Sequence, residues 1–138
     1  MPEKSESLPE LEKRVRTCQD ILLANMVMMS ETPAPTFHEE ARVRFLLDRF
    51  REAGLDSISD DEVNNGIGFL PGPDGAPTVA VAAHLDTIFD ATNSHALSLG
   101  NERVHGIGIG DNSLGAAVLA SLPHLIQALE LDLQVNLL

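Results

Sequence analysis

The sequence predicts an α/β fold, a mixed sheet with flanking helices. Three observations carry that prediction: two helical periodicities early in the chain, a short apolar strand beginning at Thr78, and a glycine-rich turn that opens a third helix. Residues 79–83 are small and apolar on both alternating faces, the pattern of a central parallel strand covered on both sides. Such strands end in crevices that bind ligands. His84 and Asp86 stand two apart at this strand's C-terminal end and share a side of it if the strand runs that far.

In chain order, Ser7 and Glu10 have capping-box spacing, and Leu11, Val15, Cys18, Leu22, Met26 and Met29 form one apolar stripe. A helix over residues 8–30 follows from that pattern. Thr32-Pro33-Ala34-Pro35 ends it, because proline disfavours helical geometry in the residue before it. Thr36 and Glu39 repeat the capping-box spacing, predicting a second helix through Phe45, Leu46 and Phe50 that stops at Gly54. Residues 55–59 and 63–70 read as an antiparallel strand pair turned at Asp60-Asp61, with Pro71-Gly72-Pro73-Asp74-Gly75 closing the second strand. Beyond the strand from Thr78, a loop over 87–110 carries a short strand at 102–105. A helix from Asn112 or Ser113 to about Glu130 follows, kinked or divided at Pro123, and residues 133–138 form a last strand.

At 138 residues the chain is long enough for one domain with a real core, since chains of that size bury roughly two thirds of their unfolded surface. Its 43% hydrophobic and 22% charged residues are ordinary for a soluble globular protein and argue against disorder. The net charge of -12 is not ordinary. It disfavours nucleic acid and anionic membranes as partners, both of which call for a basic surface, and it suits metal cations. No positively charged start leads into an apolar core at Met1 to Glu6, so no secretory signal is visible, and residues 21–29 are too short a run, interrupted by Asn25, to cross a bilayer. Cys18 is the only cysteine, which excludes an internal disulfide and fits a reducing, cytoplasmic setting. Its helical spacing from Val15, Leu22 and Met29 marks it as core rather than nucleophile.

The chemistry rests on His84, Asp86 and Asp111. A neutral imidazole binds a divalent metal through one ring nitrogen, and a carboxylate on the other N–H fixes the tautomer and raises basicity. His84-Leu85-Asp86 supplies both parts. Asp111 precedes a helix start, where negative charge is favoured, and could bridge two cations. Gly106, Gly108 and Gly110 permit a sharp turn there, and Gly115, Ala116 and Ala117 predict close packing of the helix on the sheet. Each piece alone is a weak motif; together they point to a metal site. His38, His95, His105 and His124 lack such support and read as surface or loop packing, with His105 near enough to the glycines to line the crevice. A dinucleotide cradle at Gly106-x-Gly108-x-Gly110 fits poorly. The preceding Asn101-Glu102-Arg103-Val104-His105 is mostly polar, and Asp111 puts a carboxylate where pyrophosphate needs bare N–H donors.

At Pro33-Ala-Pro-Thr-Phe-His-Glu39, Gly54-Leu55, Asp61-Glu-Val-Asn64, Ala83-His-Leu-Asp-Thr87 and Gly108-Ile-Gly-Asp-Asn112, the chain resembles the dinuclear zinc exopeptidases and amidohydrolases. That family includes tripeptide aminopeptidase, carboxypeptidase G, carnosinase and acetylornithine deacetylase, and the tripeptidase-like branch is the most similar. The resemblance implies a zinc-peptidase-like catalytic domain holding two zinc ions, with cobalt or manganese as substitutes, and a short peptide or amide substrate. It implies His84 as ligand of one metal, Asp86 as the catalytic partner behind it, Asp111 as the bridging carboxylate, and a cis peptide at Asp111-Asn112. In the family the strand matching residues 133–138 leads into a Glu-Glu pair that supplies the general base and a ligand. This sequence stops before it and lacks the inserted dimerisation domain. Residues 1–138 are therefore expected to be the N-terminal part of a catalytic domain, inactive alone, with an apolar sheet edge that favours a homo-oligomer. The alternative is a non-catalytic remnant or binding module that keeps the fold.

Overall fold

The computed structural model describes residues 7–138; Met1 to Glu6, where the sequence shows no secretory signal, lie outside the described residues. Helix α1 (Leu8–Glu31) begins where expected, with the Ser7 backbone N–H and hydroxyl both donating to the Glu10 carboxylate at 3.1 and 2.7 Å. It ends at Thr32, which is extended ahead of Pro33. Helix α2 (Glu40–Glu52) starts later than the sequence predicts, because Thr36 does not cap it. Glu39 takes the N-cap position, its Oε1 accepts from the Phe37 N–H, and the Thr36 hydroxyl donates instead to Asp86. A helix cap would use this hydroxyl as the acceptor of a backbone N–H; its bond to Asp86 is instead a charge-assisted donation. Gly54, at a φ of 75°, ends the helix as predicted.

Strands β1 (Asp56–Asp60) and β2 (Gly66–Phe69) pair antiparallel, with Asp60 opposite Gly66. Their turn is longer than the expected Asp60-Asp61 corner. The Asp61 carboxylate accepts from the Val63 and Asn65 backbone N–H groups and from Asn65 Nδ2, which commits residues 61–65 to the turn and shortens β2. Val43, Leu46, Leu47 and Phe50 of α2 form the core with Ala120, and Leu55, Ile58, Leu85 and Leu119 pack around them.

Helix α3 (Leu114–Ala128) lies chiefly against α1 rather than on a sheet, and its small residues serve that contact: Ala116, Ala117 and Ala120 are fully buried, as is Met29. Between the two helices Asn25 Nδ2 donates to Ser121 Oγ at 2.9 Å, and Ser121 donates to the Ala117 carbonyl at 2.7 Å, so this buried polar pair is satisfied. Cys18 is buried, as its spacing predicts. Pro123 does not divide α3; buried residues on both sides of it, Ser121 and Ile126 among them, hold the helix through the missing donor.

The strand from Thr78 departs most from expectation. Only β3 (Thr78–Val79) forms, parallel to β6 (Asn136–Leu137), with Leu70 bridging Leu137 on the other side. Residues 79–82 are exposed, Val79 by 45% and Val81 by 39%. One edge is bonded, through the Val81 N–H to the Leu138 carbonyl and the Leu138 N–H to the Val79 carbonyl. The helices turn their apolar faces to one another and to β1–β2, so among the described residues no layer buries these side chains. A hairpin of β4 (Ser98–Leu99) and β5 (Val104–His105) occupies the following loop; only its second strand was predicted. The chain is thus a mixture of helices and small sheets, compatible with an α/β fold. Among the described residues no helix is long and apolar enough to cross a membrane.

Candidate metal centre

Two loops converge on the C-terminal end of the strand segment. The Thr87 N–H donates to the Ala34 carbonyl at 2.8 Å, which lays the linker between α1 and α2 alongside residues 84–87. From the other direction Gly108, at a φ of 66°, turns the chain back toward Thr87; a Cβ there would stand 3.2 Å from the Thr87 methyl. Residues 109–113 then form one wide turn closed by the Ser113 N–H on the Gly108 carbonyl, 3.1 Å. Asp111 and Asn112 leave helical geometry inside it, at φ values of -143° and -138°, and the peptide bond between them is cis, as the resemblance implies. Gly115 serves this turn rather than contact with a sheet, since a Cβ there would collide with the Asn112 side chain.

The result brings all three predicted site residues together. His84 Nδ1 lies 3.1 Å from Asp86 Oδ1 and 3.2 Å from the Asp86 carbonyl, while Nε2 lies 3.0 Å from Asp111 Oδ1. The second Asp86 oxygen accepts from the Thr36 hydroxyl at 2.7 Å. Thr36 is the site residue that sequence reasoning missed. It stands 50 positions from Asp86, and its local spacing resembled a helix cap. His84 and Asp111 side chains are 51% and 89% exposed, so the centre is open to solvent.

The electrostatics follow from these contacts. Desolvation pulls the His84 pKa down, but hydrogen bonds to Asp86 and Asp111 outweigh it and raise the value above 6.5. When protonated, the imidazolium donates from both nitrogens. The Thr36 hydroxyl, ahead of His84, holds the Asp86 carboxyl below the ordinary range against a smaller effect of burial. Beside the pair lies a cavity of about 540 Å³ lined by Leu46, Phe50, Leu119, Leu137 and residues 80–83, with Thr36, His84 and Asp86 also on its wall.

The remaining histidines lie elsewhere. His38 is exposed. The His95 ring packs between the Asp90 carbonyl, 2.8 Å from Nε2, and the Ser30 carbonyl, 3.3 Å from Nδ1. His124 is half-buried on α3. His105 sits exposed on β5 and does not line the cavity beside His84.

The donors suit a divalent cation. An imidazole nitrogen and a carboxylate oxygen bound at about 2.0–2.1 Å to one tetrahedral zinc stand about 3.3 Å apart, near the 3.0 Å between His84 Nε2 and Asp111 Oδ1. In number they fall short: among the described residues no group of three or more His, Cys, Asp or Glu is arranged to hold a metal ion. His84 and Asp111 thus supply two donors, with Asp86 on the far nitrogen. Compared with known proteins, the chain matches no protein-family model, and no curated sequence is similar enough to show a relationship.

Proposed function

We propose that this chain is part of a metal-dependent hydrolase of peptide or amide bonds, of the dinuclear zinc exopeptidase kind and nearest its tripeptidase-like branch. The observation that carries the reading is the placement of His84 between two carboxylates, Asp86 at Nδ1 and Asp111 at Nε2. His84 Nε2 and Asp111 would hold the cation, zinc before cobalt or manganese. When bound, a divalent metal polarises a scissile carbonyl and lowers the pKa of water.

The chain's own residues prepare that chemistry. Asp86 accepts the Nδ1 proton, which leaves the Nε2 lone pair to face Asp111 once the second proton is released. Thr36 donates to the other Asp86 oxygen and keeps that carboxylate turned toward the ring. The apolar cavity beside His84 offers a place for a side chain of a short peptide. A catalytic zinc site uses three protein ligands and a general base, so the reading requires partners for His84 and Asp111 beyond the described residues.

Hydrolysis of di- and tripeptides with added zinc tests it, measured on this chain and on the chain together with any sequence encoded after Leu138. The reading expects no useful turnover from the 138 residues alone and metal-dependent turnover from the longer protein, abolished by His84→Ala. Turnover insensitive to His84→Ala or to a chelator contradicts it. Zinc binding with no turnover in the longer protein points to a binding module instead.

A further inference from the structure

The wall behind the candidate centre holds a buried cation. Arg42, on α2, is 1% exposed and is the largest fully buried side chain among the described residues. Its Nε donates to the Thr32 carbonyl at 2.8 Å, and Nη1 donates to the Leu85 carbonyl at 2.9 Å. Thr32 closes α1, and Leu85 lies between His84 and Asp86, so one side chain ties two helices to the middle of the His-Leu-Asp segment. Burial pushes the Arg42 pKa down against a smaller opposing effect of Asp86, and the guanidinium's hydrogen bonds go to the two carbonyls.

We infer that Arg42 is a positioning residue for the metal centre: by gripping the Leu85 carbonyl, it fixes the segment in which Asp86 orients His84. This rests on the metal reading of His84 and Asp111. The fork of a guanidinium suits the task, because it reaches two carbonyls in one plane while keeping its charge; lysine keeps the charge and loses the planar fork. Thr36 holds Asp86 from the side chain and Arg42 holds the backbone beside it, so two residues before β1 fix the site from the helix side. A purely structural bolt between α1 and α2 would behave differently, weakening the whole fold without singling out residues 84–87.

Two measurements on the full chain separate these cases. The first is amide hydrogen exchange without metal, on the parent, Arg42→Gln and Arg42→Lys. Arg42→Gln should speed exchange of the Thr87 N–H, which is bonded to the Ala34 carbonyl beside the gripped segment, by about 10- to 100-fold more than at the buried turns of α1 and α3, the range set by losing hydrogen bonds to a charged group. Arg42→Lys should show a smaller effect of the same kind, and it carries the test if Arg42→Gln does not fold. Equal acceleration everywhere overturns the inference. The second is zinc affinity by calorimetric titration on the parent, Arg42→Gln, Asp86→Asn and the double variant. Each single change should weaken binding by about 10- to 100-fold, and the double change by clearly less than the product, because Arg42 acts through Asp86. Losses that simply multiply overturn it. If the parent and His84→Ala take up zinc alike, the metal reading falls instead, while the exchange comparison still decides whether Arg42 positions residues 84–87.

Discussion

The helical layer and the strand segment over residues 78–86 meet at Leu85, and they are held in opposite ways. Around α1, α2 and α3 the apolar side chains interlock: Met29, Ala116 and Ala117 lose all contact with solvent, and the buried polar pair of Asn25 and Ser121 is satisfied. Residues 79–82 are equally apolar and yet exposed, tied by backbone bonds along one edge to Leu137 and Leu138. The difference teaches that apolar composition alone does not make a core; a covering layer does. The candidate site sits at the junction, with Asp86 and His84 carried on the open segment and Thr36 and Arg42 reaching them from the helical side.

The sharpest contrast is in stability. Phe50→Ala should cost about 3–5 kcal/mol in denaturant unfolding, since it empties the core between α2 and its neighbours. Val81→Ala should cost less than that, about 1 kcal/mol, because Val81 is 39% exposed and borders the cavity rather than packed core. Comparable losses at the two positions would break the distinction and show that the segment is covered in solution, for example by a second copy of the chain. Sedimentation of the Val81→Ala protein would then reveal the change in association.

A smaller effect is expected where the helix meets the site. In an open helix Gly→Ala stabilises by about 1 kcal/mol. At Gly115 the added methyl forces the end of the Asn112 side chain to move, so Gly115→Ala should forfeit that gain. A higher melting temperature for this variant would mean that the turn over 109–113 is not held as described.

The smallest effect is a pH dependence confined to the site. A histidine whose folded pKa is raised contributes stability that is complete below its unfolded value near 6.5 and is lost as pH rises through the folded value. Metal-free protein should therefore melt slightly lower at about pH 8 than at about pH 6, and His84→Ala should remove that part of the difference. The ring is half exposed, so solvent keeps the effect small. A His84→Ala protein with an unchanged profile would show that the two carboxylates do not hold the ring in solution.

Much of this arrangement was legible in the sequence, and the exceptions have physical causes. The stripe from Leu11 to Met29 gave α1 to within one residue of its end, because periodicity and a capping box are local signals. His84, Asp86 and Asp111 stood out as residue types at the ends of recognisable elements, and they do converge. Thr36 was misread because capping-box spacing says nothing of a carboxylate 50 positions away that binds the same hydroxyl. Arg42 gave no signal at all, since a charged residue on an amphipathic helix ordinarily faces solvent. Residues 79–83 read as buried because the pattern reports the capacity for burial, whereas exposure depends on what packs against it.

The proposal's central claim is that His84, oriented by Asp86, holds a divalent metal together with Asp111. Calorimetric titration with zinc on the parent chain, His84→Ala, Asp111→Ala and Asp86→Asn tests it directly. Two ligands hold zinc weakly, so the parent should bind with modest affinity, and either alanine substitution should remove most of that binding. Asp86→Asn keeps an acceptor for the ring and loses the charge, so it should weaken binding by about 10- to 100-fold. Three variants that all bind like the parent would contradict the assignment and leave the acidic surface, with its net charge of -12, as the source of any uptake.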